Sequence, residues 1–90
     1  MEKIKVLIVD DDANYANELT EYLKTTDDLA EAGTALDGEE AFAMIEETEP
    51  DVVVLDMILP KLDGIGVLRR TEAPDIRKKP LFIVNSTSSL

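Results

Sequence analysis

Three apolar runs rich in β-branched residues stand out along the chain: Ile4 to Val9, Val52 to Leu55, and Leu81 to Val84. Each is nearly continuous rather than alternating, which predicts strands covered on both faces, as in a parallel sheet. A weaker run, Leu29 to Ala35, holds Glu31 and Gly33 and reads as an edge strand. Between the runs, apolar residues recur at three- and four-residue spacing. From about Asn14 to Lys24 the inward face is Tyr15, Ala16, Leu19, Tyr22 and Leu23. From about Glu39 to Thr48 it is Ala41, Phe42, Met44 and Ile45, with Glu39, Glu40, Glu46 and Glu47 outward. From Ile65 to about Thr71 it is Ile65 and Leu68. Asp37-Gly38 and Asp63-Gly64 are turn signals leading into the second and third helices, while Pro50 and Pro74 stop them. The order β-α-β-α-β-α-β predicts an α/β fold, a parallel sheet with helices on both faces and right-handed crossovers.

Ninety residues, 1–90, make one domain. A chain of this size buries roughly 60–65% of its unfolded surface, enough to fold alone with little margin. The net charge of -11 argues against this segment gripping nucleic acid or an anionic membrane, and favours cationic partners or a metal ion. Hydrophobic content is 44%, so the acidity does not imply disorder. Cysteine and histidine are both absent. That excludes disulfides, thiolate metal sites and imidazole catalysis, and leaves oxygen ligands only. No apolar run reaches membrane-spanning length and no signal-peptide core is visible, so a cytoplasmic location is expected.

The candidate chemistry lies where apolar runs meet acids. Ile4 to Val9 ends in Asp10-Asp11-Asp12, and Val52 to Leu55 ends in Asp56. One acid after one strand is ordinary turn composition. Two such endings in an alternating α/β chain converge at a topological switch point if the strands are neighbours. At ~4 Å and an effective dielectric of ~20, each like-charged pair would repel by roughly 4 kcal/mol, so the site needs a cation or a raised pKa. Oxygen ligands with room for water suit Mg²⁺, and a carboxylate can attack phosphorus to give an aspartyl-phosphate. Ser86 and Thr87, just past the fourth strand, could supply a hydroxyl to such a phosphate.

These residues carry a resemblance. IVDDD at 8–12, VVVLDMILPKLDG at 52–64, and an apolar strand followed by Ser/Thr at 81–87 resemble the receiver domain of bacterial two-component response regulators. MEKIKV, LDGIGVLRR and DIRKKP look most like the stage-zero sporulation regulator A subfamily of endospore-forming bacteria. The resemblance implies a flavodoxin-like fold. It makes Asp56 the phosphoacceptor, Asp10 and Asp11 the acidic pair that holds Mg²⁺, and Ile58 the residue whose backbone carbonyl completes the metal site. Ser86 becomes the phosphoryl-contacting switch hydroxyl, with Asn85 or Thr87 in that place after a one-residue shift. Asp12 is given no direct role. Pro60, Asp63 and Gly64 match the bend after the strand. The implied partners are a histidine kinase or phosphotransfer protein, with DNA reached only through a separate C-terminal effector domain and transcription regulation as output.

Relative to that family the chain lacks a fifth strand with its lysine, and Lys61, Lys78 and Lys79 stand at no matching position. The expected sheet is therefore incomplete, a four-strand portion of order 2-1-3-4 whose fourth strand is an exposed edge inviting dimerisation. Three other readings compete. A non-phosphorylated pseudo-receiver would serve interaction alone. A phosphohydrolase acting through an aspartyl-phosphate would use Asp10-x-Asp12. A Ca²⁺ loop would use Asp10, Asp12, Asn14 and Glu21, with Tyr15 where glycine is needed.

Overall fold

The computed structural model describes residues 3–56, 64–72 and 76–85. Its elements are β1 (Ile4–Val9), α1 (Ala13–Lys24), β2 (Leu29–Ala35), α2 (Gly38–Thr48), β3 (Val52–Asp56), α3 (Gly64–Thr71) and β4 (Leu81–Asn85). The strands form one sheet of order β2-β1-β3-β4, parallel at every described pairing. Both the element order and the strand order match the expectation from the sequence.

Two apolar layers explain why the runs are continuous. On one face Leu7, Val9, Val53 and Leu55 pack with Ala41 and Ile45 of α2 and Val67 of α3. On the other, Val6 and Ile8 pack with Ala16 and Leu23 of α1. Only α1 covers this second face among the described elements. Val52 and Val54 are therefore half-buried there, and Leu81 and Ile83 beyond them are 66% and 50% exposed. The β4 run is thus an edge on its outer side among the described residues, as anticipated.

Two helix readings need correction and a third needs an addition. Tyr22, placed on the inner face of α1, is 63% exposed, because α1 turns only a narrow stripe of Ala16, Leu19 and Leu23 onto the sheet. In α3 Leu68 packs against the core as expected, but the fully buried residue is Val67, which the spacing did not single out; the side chain of Ile65 lies outside the described residues. The second helix starts one residue earlier than expected, with Asp37 as its N-cap accepting from the Glu40 N–H at 2.8 Å. It ends at Thr48 through Glu49 in the left-handed conformation (φ 47°), directly before the buried Pro50. Pro74, read as the end of α3, lies outside the described residues.

The amino-terminal end of the sheet is held by charge. Asp51 accepts the Lys5 N–H at 2.8 Å and the Lys78 ammonium. The Lys78 contact, then the Lys5 N–H, hold the Asp51 carboxyl below its usual range. Lys5 Nζ donates to the Thr48 carbonyl at 2.6 Å, and Lys79 Nζ to the Thr71 carbonyl at 2.8 Å. Lys78 and Lys79 are therefore at the end of the sheet opposite Asp56.

Candidate functional site

β1 lies between β2 and β3, so the chain leaves it at the point where strand order reverses. The register aligns Val9 with Leu55, which places Asp10 and Asp56 side by side at the carboxyl ends. β2 takes part as well: its terminal Ala35 carbonyl accepts the Asp10 N–H at 3.0 Å. That contact depends on a β-bulge, since Val6 pairs with Glu31 and Leu7 with Gly33, leaving Ala32 unmatched.

Asp10, Asp11 and Asp56 each bring a carboxylate oxygen to within 4.8 Å of the other two. Asp10 is 3% exposed and Asp56 4%, whereas Asp11 faces solvent. Burial is the main force raising the Asp10 pKa. An N–H bond from Asp12 opposes it, and the charges of Asp56, Asp11 and Asp12 add to the rise. Three clustered carboxylates, two of them buried, form a donor set for a hard divalent cation. The cluster fits the group the fold implies: it is oxygen-only, negatively charged and open to water on the Asp11 side.

Asp12 stands apart from this cluster. Its carboxylate caps α1, accepting from the Asn14 N–H at 3.0 Å and the Tyr15 N–H at 3.2 Å. Its own N–H donates to Asp10 Oδ1 at 2.8 Å. The sequence signal for the cap was present, an acid directly before a helical pattern. The Ca²⁺-loop set is not assembled, because Asn14 and Glu21 are exposed on α1 and Glu21 pairs with Lys24. Asn85, the last residue of β4, is the Cα partner of Asp56. Ile58, Pro60, Lys61, Asp63, Ser86 and Thr87 lie outside the described residues, and Gly64 opens α3. No described helix is long and apolar enough to cross a membrane.

Comparison with known proteins converges on one family. The family model of the response regulator receiver domain matches residues 6–89. A protein-glutamate methylesterase/protein-glutamine glutaminase of Bacillus licheniformis is 42% identical over 83 residues, which cover 92% of this chain. The chain spans about a quarter (23%) of that relative's length. Among solved structures, the response regulator domain of Thermotoga maritima CheB superposes with a TM-score of 0.83 at 33% identity, covering 96% of this chain and 62% of that one. The receiver domain of Francisella response regulator 1452 gives 0.81 at 31%, covering 98% and 69%. A four-stranded parallel sheet of this order, acids at its switch point and a match along almost the whole chain lead to one conclusion: the chain belongs to the response regulator receiver domain family.

Proposed function

We propose that this domain, residues 1–90, is a phosphoacceptor switch in which Asp56 takes a phosphoryl group from a phosphohistidine on a histidine kinase or phosphotransfer protein. The observation that supports it most is the meeting of Asp10, Asp11 and Asp56 at the carboxyl ends of β1 and β3. In the transfer, an Asp56 carboxylate oxygen forms a bond to phosphorus as the donor's N–P bond breaks. The departing imidazole keeps the electron pair and takes up a proton. Mg²⁺, when bound, would neutralise charge on the phosphoryl oxygens. Asp10, Asp11 and Asp56 would hold it, with the Ile58 carbonyl as a further ligand. Ser86, or Thr87 in its place, would contact the phosphoryl group. In this reading the domain is a substrate of its kinase rather than an enzyme, and it acts where a phosphohistidine donor would be found, in the cytoplasm.

The receiver's output is proposed as control of a linked effector. A methylesterase-linked, chemotaxis-type role has support in the B. licheniformis relative and the T. maritima structure. The sporulation-type, DNA-binding output suggested by MEKIKV and DIRKKP has none in the relatives above. Self-association through β4 is supported by the exposed Leu81, Ile83 and Val84 in a strand without charged residues.

Intact mass after treatment with acetyl phosphate and Mg²⁺ tests the phosphoacceptor reading. One phosphoryl adduct is expected on the wild type and none on Asp56→Asn. Absence of the adduct from both, or its presence on both, refutes the assignment.

A further inference from the structure

We infer that Asp12 is a positioning residue that locks the Asp10 carboxylate in place by capping α1, leaving Asp10 and Asp11 alone of the three consecutive acids to bring a carboxylate oxygen near Asp56. The inference rests on the proposed role of Asp10 in holding the metal. The Asp12 backbone N–H donates to Asp10 Oδ1 at 2.8 Å, and Asp12 itself is extended, at φ -89° and ψ 100°, as an N-cap residue is. Three hydrogen bonds on the helix side hold it there. Its carboxylate Oδ1 accepts from the Asn14 and Tyr15 N–H groups at 3.0 and 3.2 Å, and its carbonyl accepts from the Ala16 N–H at 3.0 Å. One residue therefore ties the first turn of α1 to a buried acid of the site.

Asp10 has a second tether, from its own N–H to the Ala35 carbonyl, but that fixes its backbone and not its carboxylate. Among the described residues, the Asp12 N–H is the contact that orients the carboxylate itself. It does so by a hydrogen bond, while the Asp12 side chain spends its charge on the helix N-terminus. A cation then meets carboxylates already turned toward it. Contacts of this kind, one step removed from a metal, typically carry about 10-fold or more in affinity.

The test separates cap from charge. Asp12→Ala removes both, whereas Asp12→Asn and Asp12→Ser keep a capping oxygen and remove the charge. Mn²⁺ affinity is read by electron paramagnetic resonance. The Asp12 amide shift is read by NMR in the metal-free protein, with Asp10→Asn as reference. We expect Asp12→Ala to bind Mn²⁺ about 10-fold more weakly and its residue-12 amide to move upfield, while Asn and Ser stay within about 2-fold of wild type. If Asp12→Ala does not fold, Asp12→Gly replaces it, since glycine is tolerated at this helix position without offering an oxygen. Unchanged affinity in Ala or Gly overturns the inference, as does an Asn variant as weak as Ala. If the wild type binds no Mn²⁺, the metal-binding reading of the site fails by itself, and the metal-free amide shift still decides whether the cap holds Asp10.

Discussion

Replacing Asp10 by asparagine should make the metal-free domain more stable, against the general trend of substitutions at buried sites. At the 4.8 Å limit of the cluster, two carboxylates repel by about 3.5 kcal/mol at an effective dielectric of about 20 and by about 0.9 kcal/mol in bulk water. Asp10 and Asp56 are almost fully buried, so their pair lies toward the first figure. Asp11 is exposed, so its pairs lie toward the second. Asparagine removes the Asp10 charge from two of these pairs and keeps an oxygen for the Asp12 N–H. Its amide N–H groups still need partners, which returns part of the gain. The net expectation is about 1–3 kcal/mol at pH 7 in chelator, or a urea midpoint higher by about 0.3–3 M at the slopes usual for small domains.

Burial and neighbouring acids raise the Asp10 pKa, so the folded state binds this proton more tightly than the unfolded chain. The penalty is fully present above the raised folded value. It is relieved as pH falls through that value toward the ordinary carboxylate range, so the advantage of Asp10→Asn should shrink on mild acidification. Mg²⁺ should close or reverse the gap: at 100 times its Kd it would stabilise the wild type by about 2.7 kcal/mol, and the variant much less. Urea titrations at pH 7 and 5, with chelator or with Mg²⁺, check all three points. A metal-free variant less stable than wild type, or a wild type unmoved by Mg²⁺, would refute the electrostatic account.

Gly33→Ala should cost about 1–3 kcal/mol from backbone strain at φ 151°, plus a packing cost, because a Cβ there would lie 2.1 Å from Met44 Cε. Chemical denaturation of this variant with and without Met44→Ala separates the two, since only the clash should be relieved by truncating Met44. Glu49→Gly should stabilise by about 0.5–1 kcal/mol, since glycine tolerates the left-handed φ of 47° that glutamate is forced to adopt; an unchanged or lower melting temperature would contradict this. Ile83→Lys, on the half-exposed edge strand, should abolish any concentration-dependent association of the 90-residue chain while leaving its circular dichroism intact. Sedimentation showing a wild-type monomer at high concentration would remove the self-association proposal.

The amino-acid order alone determined the elements, the parallel sheet and the place of the acids, because continuous β-branched runs and helical spacing each carry their own period. Gly33 and Glu31 marked β2 as an edge, and Asp10, Asp11 and Asp56 were legible as acids at strand ends. Tertiary packing decided what no local pattern encodes. It buried Val67 and exposed Tyr22, because a helix's inner face depends on the angle at which it meets the sheet. It set the bulge at Ala32, which lets the Ala35 carbonyl reach the Asp10 N–H. It also divided three identical neighbours. Asp10 is buried against Asp56, Asp11 faces water and Asp12 turns to the helix, since successive residues leaving a strand point in different directions and only one can meet the first turn of α1.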